Sequence, residues 1–212
     1  MKMNTLEHLL AGTRPALVIV DVQNDYCHPE GALGLEGCDV SGVKEMMPRL
    51  HGLLGAVREE GIPVIFIQTF HEDATDSEAW VTRSSGRSAQ VCRKGSWGAE
   101  FFEIAPRDGE IVVNKHRYSA FVNTRLDSVL RTLKIDTLLV TGVSTNVCVE
   151  STARDGFMLD YHIVLVEDDC ASYSREAHEM TLTNIHGYFG TVTASGELMD
   201  IWAHRQKSSL AL

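Results

Sequence analysis

Three residue types suited to attack on an amide follow three separate apolar runs in this 212-residue chain. Cys148 lies in LLVTGVSTNVCVESTARDGFMLDY, where the apolar stretch Leu138–Val140 breaks at Thr141-Gly142 and a helical pattern begins near Asn146. The thiol is thus expected in the first turn of a helix that follows a strand. Unpaired backbone N–H groups and the positive end of the helix dipole favour an anion there, which lowers a thiol pKa. The same residue also reads as a buried, inert cysteine. Asp21 closes the run ALVIVD, as a partly desolvated carboxylate able to take a proton or as a turn cap. Lys115 ends IVVNK, as a countercharge for a thiolate or as a lysine snorkelling to solvent. Taken together, a nucleophile, a proton acceptor and a cation are what acyl transfer through a thiol requires.

The elements that must position them alternate in type. Strand candidates are Ala16–Asp21, Pro63–Gln68, Glu110–Asn114, Thr137–Thr141, His162–Glu167 and Gly190–Thr193, nearly continuous apolar runs of the kind covered on both faces. Helix candidates at 41–60, 123–133, 146–159 and 174–186 separate them, and a last helix near 196–204 closes the chain. Ser41, Asn123 and Ser174 are the expected caps. This rhythm predicts βαβ units and a parallel sheet, in one α/β domain over residues 1–212. Ligands in such a fold bind beyond the carboxyl ends of the strands, where Asp21, Lys115 and Cys148 fall. One stretch, Glu72 to Arg107, lacks the rhythm; it holds TRSSGRSAQ and KGSWGAEFF, and connections of that length are usually functional or reach a partner subunit.

Composition narrows the classes. A net charge of −10 with no basic cluster argues against a nucleic-acid surface. No apolar run approaches membrane-spanning length, and the N-terminus is unlike a signal peptide. Five cysteines without a CxxC pair suggest reduced thiols, so a cytoplasmic location is expected.

The segments ALVIVDVQNDY, Gly95–Trp97, GEIVVNKHRYSAFVNT, TGVSTNVCVESTARDGF and VLVEDDCAS resemble the isochorismatase-like cysteine hydrolases over most of residues 15–190. The resemblance implies a Rossmann-like, three-layer α/β/α fold with a six-stranded parallel sheet in the order 3-2-1-4-5-6. It also implies a homo-oligomer, dimer or tetramer. It assigns Asp21 as catalytic aspartate, Lys115 as catalytic lysine and Cys148 as nucleophile. Val143-Ser144 matches the position of a cis peptide in the family, which would turn the Ser144 N–H into an oxyanion hole with the N–H of Cys148.

Departures from the pattern narrow the chemistry. Nicotinamidases carry an Asp-x-His and a second His after the second strand. Here Thr69 and Ser77 replace two of those ligands, leaving His71, which reads as a surface histidine, and no metal or other cofactor is expected. Members that cleave a vinyl ether lack the cysteine, so Cys148 points instead to a small amide or ureide substrate. Lys115, Arg117-Tyr118-Ser119, Phe121, Asn123-Thr124 and Asn146–Thr152 are most like the ureidoacrylate and carbamoyl amidohydrolases. On that likeness Asn24, Gln68 and Tyr118 would hydrogen-bond a ureido group, and His116 or Arg117 would receive a carboxylate. Arg117 reads equally as an ion-pair partner, Tyr118 as core and Asn123 as a cap; Trp80 and Trp97 suit either a pocket wall or a subunit contact. Cys27, Cys38, Cys92 and Cys170 read as structural thiols. The two competing functions are an aspartate-dependent, isochorismatase-type hydrolase and an idle family member that serves as a binding or scaffold subunit.

Overall fold

Six parallel strands form one sheet in the order β3-β2-β1-β4-β5-β6 in the computed structural model, which describes residues 5–83 and 90–210. The strands are β1 (Pro15–Val20), β2 (Val64–Thr69), β3 (Ile111–Lys115), β4 (Thr137–Val143), β5 (His162–Ala171) and β6 (Thr191–Thr193). The helices are α1 (Thr5–Gly12), α2 (Asn24–Cys27), α3 (Ala32–Leu35), α4 (Ser41–Glu59), α5 (Glu78–Thr82), α6 (Leu126–Thr132), α7 (Glu150–Met158), α8 (Arg175–Asn184) and α9 (Ser195–Leu210).

The strand period of two sorts side chains into two cores. Leu17 and Ile19 of β1 face a layer built from α1, α4 and α9, where they meet Leu10, Met46, Leu50, Leu53 and Trp202. Ala16, Val18 and Val20 face the opposite layer, with Leu126 and Leu130 of α6, Ala153 of α7 and Ile185 beyond α8. On α4 the buried residues Val43, Met46, Met47, Leu50, Leu53, Leu54 and Val57 recur three and four apart, which makes one apolar stripe. The result is the three-layer sandwich expected from strands that read as unbroken apolar runs. No helix among the described residues is long and apolar enough to cross a membrane.

Several boundaries differ from the sequence reading. β5 runs four residues past Glu167 to Ala171, because the ladder resumes beyond an irregularity with Gly142 opposite Cys170 and Val143 opposite Ala171. Glu167, Asp168 and Asp169 look unlike a strand, yet Asp168 is held in place by the N–H and hydroxyl of Ser195, at 2.7 and 2.9 Å. Asn123 is not a cap: its φ is +55°, and α6 begins three residues later. Ser41 begins α4, and Asp39 Oδ1 accepts its N–H at 2.9 Å. Ser174 does cap α8, accepting the Ala177 N–H at 3.3 Å.

β1 and β4 are neighbours, and the chain direction across the sheet reverses between them, so their carboxyl ends form the topological switch point. Gly142 makes that junction close. Its φ is +111°, and a Cβ there would lie 2.1 Å from the Val20 carbonyl oxygen. Only glycine tolerates both the dihedral and the approach.

Candidate active site

Asp21 follows β1 directly, in the left-handed region at φ +53°, where a non-glycine residue is rare and held by its surroundings. The holding contacts are visible. Its N–H donates to Ile67 O at 3.1 Å, Gln23 N–H donates to its carbonyl at 2.8 Å, and Thr69 Oγ1 donates to Oδ1 at 2.9 Å. Lys115 ends β3, two strands away, a separation of roughly 9–10 Å from spacing alone. Its long stem crosses the end of β2, and Nζ comes 2.7 Å from Asp21 Oδ2, an ion-pair contact rather than an aligned hydrogen bond. The same Nζ donates to Arg117 O at 2.9 Å and reaches Cys148 Sγ at 3.5 Å. Carboxylate, ammonium and thiol therefore meet at one point.

The segment carrying Cys148 is wound more widely than an α-helix. Thr145–Val149 forms a π-helical turn that precedes α7, with the Val149 N–H donating to Ser144 O at 3.3 Å. Such turns are common where a helix presents a functional group. The Val143–Ser144 peptide bond is cis.

Electrostatics here differ from the sequence expectation for the thiol. Burial pushes Cys148 up to about 12, with the Lys115 charge opposing and the Asp21 charge reinforcing the rise. The helix terminus does not make a resting thiolate, because water is excluded from the sulfur and an anion already stands beside it. Lys115 moves above its usual range: burial pulls it down, and the Asp21 charge beside it opposes and helps to outweigh that pull. The resting site accordingly holds an ammonium beside a neutral thiol.

A cleft of about 410 Å³ opens onto this point, lined by Cys148, Ser144, Tyr118, Trp80, Arg83 and Tyr173 among others, a size suited to a small molecule. Tyr118 and Trp80 thus stand in the cleft wall, their rings 5.0 Å apart. Trp97 is half exposed and packs against His28 instead.

The other expected substrate ligands are occupied elsewhere, and none of them lines the cleft. Asn24 Nδ2 donates to Trp97 O at 2.8 Å. Gln68 Nε2 donates to Ala99 O at 2.8 Å, and its Oε1 accepts from Asn114 at 3.0 Å. His116 Nδ1 is 2.7 Å from Phe70 O. Arg117 donates to Thr75 O and His116 O, at 3.2 and 2.6 Å, and lies on the Trp80 ring. The amides close the 97–99 turn over the sheet, and His116 and Arg117 tie the segment that follows β2 to the end of β3.

His71 is a second correction, since it is buried rather than a surface histidine. Its ring lies 5.2 Å from that of Trp80 and forms part of the cleft wall. Burial pulls the imidazole down to about 4, which the Asp76 carboxylate only partly opposes. The residues at the nicotinamidase metal positions do not fit a divalent ion: Thr69 is committed to Asp21, and Ser77 accepts the Trp80 N–H as the cap of α5.

Sequence reading passed over two further positioning residues, Gln23 and Asp25. Gln23 Nε2 donates to Thr69 O and Ala99 O, both at 2.7 Å, and Oε1 accepts the Thr69 N–H at 2.8 Å. Asp25 accepts from the N–H groups of Ala32 and Cys92, at 2.9 and 2.6 Å. Both anchor the Glu72–Arg107 connection, whose residues 84–89 (SSGRSA) lie outside the described residues. The only sequence signal for either was proximity to Asp21.

Comparison with known proteins agrees with this fold. Residues 15–197 match the model of the isochorismatase domain. A ureidoacrylate amidohydrolase of Methylobacterium radiotolerans is 38% identical over 193 residues, covering 84% of this chain and 75% of that protein. The crystal structure of a cysteine hydrolase from Pseudomonas syringae pv. phaseolicola superposes with a TM-score of 0.81 at 29% identity, covering 89% of this chain and 92% of the other. An N-carbamoylsarcosine amidase from Thermoplasma acidophilum gives a TM-score of 0.70 at 32% identity, over 86% and 96%. With the fold, the strand order and the matched span in agreement, the chain belongs to the isochorismatase family of hydrolases.

Proposed function

We propose that this hydrolase is a cysteine amidohydrolase that cleaves the C–N bond of a small linear amide, ureido or carbamoyl compound through a thioester on Cys148. The observation that carries the reading is the Lys115 ammonium, 2.7 Å from Asp21 Oδ2 and 3.5 Å from a Cys148 thiol that opens on the cleft. The names of the relatives, a ureidoacrylate amidohydrolase and an N-carbamoylsarcosine amidase, support the same substrate class.

The mechanism follows from the resting charges. Cys148 is held as a thiol, so its proton must leave as the sulfur attacks, and Asp21 is the acceptor. Lys115 stays cationic and stabilises the developing thiolate. As the S–C bond forms, the carbonyl oxygen becomes an anion, received by the N–H groups of Ser144 and Cys148. Collapse breaks the C–N bond, and Asp21 returns the proton to the departing nitrogen. Water, activated by Asp21, then attacks the thioester; the C–S bond breaks, the acid leaves and Cys148 regains its proton. No step requires a metal.

Ammonia release is the test, with ureidoacrylate, N-carbamoyl amino acids, biuret and simple amides as substrates. Cys148→Ala is expected to abolish turnover, and substrate to protect Cys148 from iodoacetamide. Turnover surviving Cys148→Ala would transfer the chemistry to the aspartate, and an inert wild-type protein across the panel would leave a binding role.

A further inference from the structure

Arg83 stands at the end of α5, exposed, with its guanidinium carbon 5.3 Å from the Trp80 ring centroid and 5.2 Å from that of Tyr118. Both rings and Arg83 line the cleft that Cys148 opens into. Among the described residues Arg83 is the only arginine or lysine in that lining. Lys115 sits behind the thiol, tied to Asp21, and the His71 imidazole is held neutral. Arg83 makes no hydrogen bond or ion pair among the described residues, although Glu36 lines the same cleft. A guanidinium laid on aromatic faces is fixed in plane while its N–H edge stays available, the arrangement that binds a carboxylate with two parallel hydrogen bonds.

We infer that Arg83 is a specificity-determining residue, receiving the far carboxylate of a linear carbamoyl or ureido substrate whose carbonyl lies at Cys148. The inference rests on the amidohydrolase reading of the cleft. It replaces the sequence expectation for His116 and Arg117, whose side chains are bound to backbone carbonyls outside the cleft. It also gives the Trp80–Tyr118 wall a task, since that wall sets where the guanidinium lies.

The experiment compares 3-ureidopropionate with its carboxamide, in wild type, Arg83→Gln and Arg83→Lys, by two readouts. One is kcat/KM for ammonia release; the other is protection of Cys148 from iodoacetamide, which needs binding but no turnover. Wild type is expected to prefer the carboxylate in both. In Arg83→Gln that preference falls roughly tenfold or more, the loss appearing in KM, and Arg83→Lys keeps part of it as a single-point contact. Equal protection by carboxylate and carboxamide in wild type overturns the inference, as does a proportional loss on both compounds in Arg83→Gln. A protection preference that depends on Arg83 without any turnover would sink the amidohydrolase reading and leave the carboxylate anchor standing.

Discussion

The Lys115 ammonium and the Asp21 carboxylate lie 2.7 Å apart with essentially no solvent access to either. Each charge is tolerated only because the other is present, since an unpaired ion at such a site bears its full desolvation cost. Lys115→Met should therefore destabilise the fold by about 3–5 kcal/mol, in addition to removing activity. Lys115→Met combined with Asp21→Asn should recover most of that stability and none of the turnover. Urea unfolding of Lys115→Met, of Asp21→Asn and of the double variant measures this, and additive losses in the double variant would contradict the pairing.

Asp21 has a second effect, on the thiol. Beyond the effect of burial, its charge raises Cys148, while Lys115 lowers it. Asp21→Asn should consequently abolish turnover, by roughly 10²–10⁴-fold for loss of the acid–base group, yet make Cys148 more reactive towards iodoacetamide at pH 8. Opposite movements of catalysis and alkylation are the signature. Slower labelling in the variant would mean that Asp21 does not oppose the thiolate.

Asp169 lies away from this chemistry and should govern how stability varies with pH. It is fully buried, neither carboxylate oxygen has a hydrogen-bond partner among the described residues, and burial followed by the Asp168 charge lifts it to about 8. The native state thus binds a proton that the unfolded chain releases near pH 4. This contribution is complete below about pH 4 and is lost as pH rises through about 8. Asp169→Asn should flatten the decline, which thermal unfolding at pH 5 and pH 8 would show. An unchanged slope would place the ionisation elsewhere.

Gly142→Ala should lower stability by at least about 2 kcal/mol, since the dihedral and the approach to Val20 must both give way. The strain falls two residues before Ser144, so turnover should drop with stability. Melting temperature and kcat measured together test it, and a variant as stable as wild type would show that β1 and β4 can separate there without loss.

Much of this protein was legible in its residues. The strands of the parallel sheet announce themselves because a strand covered on both faces must be apolar throughout, as in PALVIV and TLLVTGV. Asp21, Lys115 and Cys148 stand out because polar residues at the ends of such runs interrupt an otherwise uniform pattern. The sheet order and the cis peptide came from family resemblance rather than from any local pattern. His71 misled because an isolated imidazole in a polar stretch carries no mark of burial, which here is supplied by Trp80 folding over it.

Local composition determined which segments are strands and helices and which polar side chains sit at strand ends, because burial pattern and period are written residue by residue. Only the tertiary structure decided what those side chains touch. The amides of Asn24 and Gln68 went to the 97–99 turn and the guanidinium of Arg117 to backbone carbonyls, while Arg83 was left facing the cleft. Those assignments depend on distances between segments far apart along the chain, set by how a long irregular connection closes over the sheet, and no short-range sequence rule encodes such distances.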